Sequence, residues 1–225
     1  MTTSSGPAAR TRIVLRPLGS SLPLGFFAFG VGVLLTGLLD LRALSTTDTS
    51  QVAVLLLTFP APLELLACVL AYLARDAGAA TAMGVFGESW VSTGTGLLLA
   101  EPGSRSSVTG VFSLALAVVL LTLAVAAATA KPALTVLLSL ATARAACEGL
   151  YDLTGTRALQ TAAGVVAMLV VAVAVYGGLA LLLEDTRGRL VLPTGRRGRA
   201  RASLKGGLGA QLESLESEAG VRNQL

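Results

Sequence analysis

The chain has 225 residues, of which 53% are hydrophobic and only 13% charged, with a net charge of +4. One soluble core cannot hide that much apolar surface, so the excess must face lipid. There is no histidine, which excludes Ser-His-Asp and Cys-His catalysis and histidine-ligated metals, and leaves any proton relay to Asp or Glu.

Residues 1–21 are rich in Ser, Thr and Arg and lack the apolar core of a cleaved signal peptide. They read as a cytoplasmic N-terminal segment. Residues 22–192 read as a transmembrane domain of six apolar segments. The first, 22–39, opens on Pro23-Leu24-Gly25 and closes at Asp40 and Arg42; Gly25, Gly30, Gly32, Ala28 and Thr36 give it a small-residue packing face. The second, 52–74, is interrupted by Pro60 and Pro62 just before Glu64. Proline frees backbone carbonyls, so the interruption is either a cavity-lining break or a simple kink.

The third segment, 78–100, carries Glu88 near its middle. Ala80, Gly84, Glu88, Ser92 and Gly96 share a stripe at helical spacing, so Glu88 is expected to face protein or a water-filled path. Either it serves function there, or it is a paired structural acid. Trp90 is too deep for an interfacial belt and is expected to pack between helices. The fourth segment, 108–130, and the sixth, 158–183, are uncharged, whereas the fifth, 132–150, contains Arg144 and Glu148. Cys68 and Cys147 lie in apolar stretches and read as small apolar residues, with a disulfide left open.

Six spans put both termini on one side. That side would hold Arg10, Arg12, Arg16, Arg75, Lys131 and the basic residues from Arg187 onward, against Arg42, Arg105 and Arg157 on the other. The bias makes both termini cytoplasmic. Residues 193–225 read as a basic, then acidic cytoplasmic tail, disordered and near anionic headgroups. Nothing in it suggests nucleic-acid binding. The short connections imply antiparallel neighbours in a compact all-α bundle.

Glu64, Glu88, Arg144 and Glu148 are the informative polar set. Arg144 and Glu148, four apart, either pair along their helix or leave the guanidinium to hold a carboxylate solute. Three acids against one arginine leave surplus negative charge, and an acid that gains and loses a proton is what proton-coupled anion movement requires. No nucleophile–base arrangement can be recognised, so an enzyme is not expected, and no cofactor or metal is implied.

Three stretches resemble the acetate uptake transporter family, the bacterial acetate–succinate permeases and their fungal relatives. Pro23-Leu24-Gly25-Phe26-Phe27-Ala28-Phe29-Gly30 resembles the family's opening Asn-Pro-Ala-Pro-Leu-Gly-Leu signature and following Gly-Phe-Gly. Thr81 to Trp90 is similar to its Thr-Ala-Phe-x-x-Tyr-Gly-x-Phe-Trp run, and Gly188 to Pro193 to its closing Gly-Arg-x-x-Leu-Pro. The resemblance implies a six-helix protomer in a ring-shaped homo-hexamer of the plasma (inner) membrane, with a pore in each protomer. It also implies a hydrophobic constriction, matched here by Phe29, Phe86 and Leu140, and a short monocarboxylate such as acetate as solute. The chain departs from the pattern at Ser20-Ser21-Leu22 in place of Asn-Pro-Ala and at Phe59-Pro60-Ala61 in place of Tyr-Gly-Gly. It departs further at Glu64, Glu88 and Arg144, which stand where the family is uncharged. New charges beside a narrow pore change which species can enter. A dicarboxylate, a neutral amide such as urea, or a non-transporting assembly role are the competing readings.

Overall fold

In the computed structural model the described residues are 19–194, excepting 75, 130 and 188. The segment up to residue 18 and the tail from 195, with their basic residues, lie outside them. Seven α-helices follow in order: α1 Leu22–Asp40, α2 Thr49–Thr58, α3 Pro60–Leu73, α4 Ala77–Leu99, α5 Ser107–Ala127, α6 Pro132–Thr154 and α7 Arg157–Arg187. A short 3-10 turn, Thr46–Asp48, precedes α2. No strand occurs among the described residues.

Local chemistry sets the helix ends. Prolines stand in the first turns of α1, α3 and α6, where a missing N–H costs nothing. The Asp76 and Ser106 side chains accept from the N–H groups of Ala79 and Thr109 and so cap α4 and α5. α6 stops at Gly155, whose φ of 72° lies in the left-handed region that favours glycine. Between α2 and α3, Phe59 leaves helical geometry at φ −120°, ψ −75°. The expected interruption is therefore a break rather than a gentle kink, set by Pro60 and Pro62.

The helix from 46 to 73, taken across that break, is one of five stretches long and apolar enough to cross a membrane; the others are α1, α5, α6 and α7. α4 equals α6 in length at 23 residues, but glycine, serine, threonine and Glu88 dilute its apolar character. Large apolar side chains such as Leu66, Leu99, Val118, Leu121 and Val175 are exposed on the outside of the bundle. A soluble fold would not leave them there, whereas a lipid surface accepts them.

The helices pack as a closed ring. α1 lies against α7, α7 against α6, α6 against α5, α5 against α4, α4 against α3 and α2, and α3 against α1. α1, α4 and α6 run one way and their neighbours the other. Leu22 and Thr194 line the same cavity, so both ends of the described chain sit at one end of the bundle. At that end Lys131, at the start of α6, pairs with Asp76, at the start of α4.

Close approach depends on missing side chains. At the α5–α6 seam, a Cβ on Gly149 would stand 2.8 Å from the Gly110 carbonyl oxygen, which cannot move without moving the helix. Gly149→Ala is therefore expected to destabilise the fold by about 1–3 kcal/mol. Gly96→Ala, in α4 with nothing within 4 Å of the added carbon, should cause no loss. Thermal unfolding in detergent compares the two.

Candidate functional site

Two cavities open among the helices, separated along α6 by an apolar layer. One, with about 20 Å³ of room for water-sized molecules, is lined by Leu22, Phe26, Lys131, Leu134, Leu181 and Thr194. The other, larger at about 50 Å³, is lined on α1 and α4 by Phe29, Phe86, Ser89, Trp90 and Thr93. Phe112, Ser113 and Leu116 of α5, with Ala141, Arg144 and Glu148 of α6, complete it. Leu134 of the first and Ala141 of the second are seven residues apart on α6, which is about 10 Å of helix. Leu137 and Leu138 fill that interval and are buried.

Aromatic rings form the boundary. The Phe29 and Phe86 rings lie with centroids 4.0 Å apart, and Trp90 stands 5.7 Å from Phe29. On α4 this face is the row Met83, Phe86 and Trp90, three or four residues apart and buried. Gly32 makes room for it, since a Cβ there would meet the indole at 2.8 Å. Phe29 and Phe86, the positions where the resemblance implies a constriction, are in ring-to-ring contact. Leu140 is half-buried and lines neither cavity; the α6 residues facing inward are Leu137, Ala141, Arg144 and Glu148.

The acids divide into three environments. Glu64 is fully buried at 0% exposure, and its Oε1 accepts a 3.1 Å hydrogen bond from Trp90 Nε1. Its other oxygen, Oε2, is buried without a partner. Glu64 lines neither cavity and holds the Trp90 indole N–H. Glu88 corrects the sequence expectation. It is exposed on the outer face of α4, because the inward row is Met83, Phe86 and Trp90, and a residue two places from both Phe86 and Trp90 lies across the helix. The small-residue stripe marks an outer surface here: Ser92 and Gly96 are exposed with Glu88, and only Ala80 is buried.

Arg144 and Glu148 do come together, and they recruit α1. Arg144 Nη2 donates to Thr36 Oγ1 at 3.0 Å and to Asp40 Oδ2 at 3.1 Å, and pairs with Glu148. Thr36 in turn donates to the Gly32 carbonyl at 3.0 Å. The guanidinium is therefore spoken for by two acids, and its Nε is buried without a partner. Asp40 is the member that sequence reasoning missed. It reads as a polar stop to the first helix, and its partner lies 104 residues away, a separation no local pattern encodes. Cys68 and Cys147 are free thiols, both half-buried. Among the described residues no group of three or more Cys, Asp or Glu side chains could hold a metal ion.

Breaking this cluster from the cationic side leaves two acids facing each other. Arg144→Met is expected to cost about 3–5 kcal/mol. Combining it with Asp40→Asn and Glu148→Gln should restore much of that loss. Unfolding in detergent of the single and triple variants measures both.

The sequence matches the GPR1/FUN34/yaaH family over residues 4–196. The fold matches a solved chain described as the structure of the bacterial acetate channel SatP, with a TM-score of 0.72 and 21% identity. That match covers 79% of this chain and 99% of the other. A search of curated proteins gives no match. A ring of membrane-length helices closed around an aromatic layer, with the family pattern running through nearly all of it, makes this chain a member of the GPR1/FUN34/yaaH family.

Proposed function

We propose that the protein is a membrane channel or transporter for acetate or another short monocarboxylate, with one pathway through each protomer. The observation that carries the reading is the Phe29–Phe86 contact, which forms a wall of the larger cavity inside the ring, with a second cavity nearer the chain ends. A hydrophobic neck of this kind controls passage by excluding water and by making a bare charge costly to move through. Family membership and the likeness to an acetate channel support the choice of solute.

In this reading α4 and the broken α2–α3 pair complete six spans. The end bearing Lys131 and both ends of the described chain faces the cytoplasm, in keeping with the distribution of Arg and Lys in the full sequence. The membrane is the plasma membrane. Movement is coupled to protons. The protomers form a hexameric ring. Support for assembly comes from Glu88, near the middle of α4 on its outer face, where a carboxylate against lipid would cost at least about 2.5–3.5 kcal/mol. A neighbouring protomer over that face removes the cost.

The neck makes a direct prediction. Phe86→Ala in proteoliposomes is expected to raise uptake of labelled acetate several-fold and to admit bulkier acids such as benzoate. Wild-type uptake no greater than that of empty liposomes would overturn the transport reading.

A further inference from the structure

The larger cavity is the mouth of the proposed pathway away from the chain ends, and its charges are unevenly distributed. Arg144 is its only cation among the lining residues. Two carboxylates share that guanidinium, Glu148 from the next turn of α6 and Asp40 from the end of α1. One guanidinium faces two carboxyl groups, so the cluster has no surplus positive charge to offer a solute. Asp152, one turn beyond Glu148 on α6, adds another acid, and Arg105 from the α4–α5 connection offsets it, donating to the Asp152 carbonyl oxygen at 3.5 Å. α4 and α5 contribute hydroxyls here, Ser89, Thr93 and Ser113, and no charge.

Accessibility decides which charge a solute meets. The Glu148 side chain is 28% exposed and that of Arg144 only 10%. The acid is the more accessible of the pair. A carboxylate held by arginine usually takes two parallel N–H groups from one guanidinium edge. Here Nη2 already serves Thr36, Asp40 and Glu148, and Nε is buried.

We propose that this mouth turns away free carboxylate anions and admits the solute in its uncharged, protonated form, with Asp40 and Glu148 as the residues that set the selection. The inference rests on the pathway proposed above. Of the two roles open to Arg144 on sequence grounds, it takes the pairing one. The arginine does not present itself to the solute; it ties the two acids together and holds α1 to α6. A neutral acid meets no repulsion from Glu148, can exchange hydrogen bonds with the hydroxyls of Thr93 and Ser113, and loses little hydration at the aromatic layer. A carboxylate meets like charge first and the oily neck immediately after.

The test uses the full chain in two preparations. Liposomes with a trapped pH dye report entry of protonated acetate after subtraction of empty liposomes, and planar bilayers under a sodium acetate gradient report ionic current. Wild-type protein should acidify the liposome interior yet carry no acetate or sodium current. Glu148→Gln and Asp40→Asn, each removing one carboxylate, should let acetate current appear, at least about tenfold above the wild-type baseline. Glu148→Asp, which keeps the charge, should remain silent. An acetate or sodium current through the wild-type protein would overturn the inference, and this arm stands even if a variant fails to fold. Neutralised variants that acidify the liposomes while remaining free of current would overturn it as well. Wild-type protein giving neither acid entry nor current would overturn the transport reading itself, and this inference with it.

Discussion

An ionic side chain taken into an oily bundle must find its partners inside, and that requirement organises the end of this protein where α1 meets α6. The Arg144 guanidinium is buried among apolar helices, at a site where it costs several kcal/mol unless matched. Asp40, Glu148 and Thr36 supply the match, from two helices that run parallel across the ring. The pairing fixes the rotation of α6 about its own axis. With Arg144 and Glu148 turned inward, Leu137 and Ala141 must follow, and the aromatic row of α4 then has a flat apolar wall to face.

The Glu64–Trp90 hydrogen bond does the same for α4 at the back of the ring. An indole on a helix interior can rotate between rotamers, but one whose N–H is held by a fully buried carboxylate at 3.1 Å has little freedom. Trp90 holds Phe29 from one side, and Phe86 meets it from the other. The narrow layer is thus rigid because polar anchors on α3 and α6 secure the helices that carry it. Gly32 on α1 lets the Trp90 ring lie close to the backbone.

The existence and order of the helices were legible from the apolar runs, and prolines stood at several of their starts. The end of the last helix was not: α7 runs to Arg187, beyond the predicted 183, because Glu184 and Asp185 continue the helix after the apolar pattern ends. Rotation of the helices was the hardest to read. Helices apolar on every side carry little directional signal, and a stripe of small residues suits an inner and an outer seam alike. That ambiguity turned Glu88 the wrong way. The aromatic residues of the neck came from the family pattern rather than from periodicity. Glu64 and Trp90, and Asp40 and Arg144, are partners 26 and 104 residues apart, and such pairings leave no trace in local spacing.

The discontinuity at Phe59 bears on biosynthesis. It divides one membrane crossing into pieces of ten and fourteen residues, each shorter than the roughly 20 needed to traverse about 30 Å of hydrocarbon. Pro60 and Pro62 also deprive the carbonyls of Leu56 and Thr58 of their usual amide donors. Neither piece can be handed to the lipid separately during translation. The insertion machinery must accept both as one unit, against which α4 then packs.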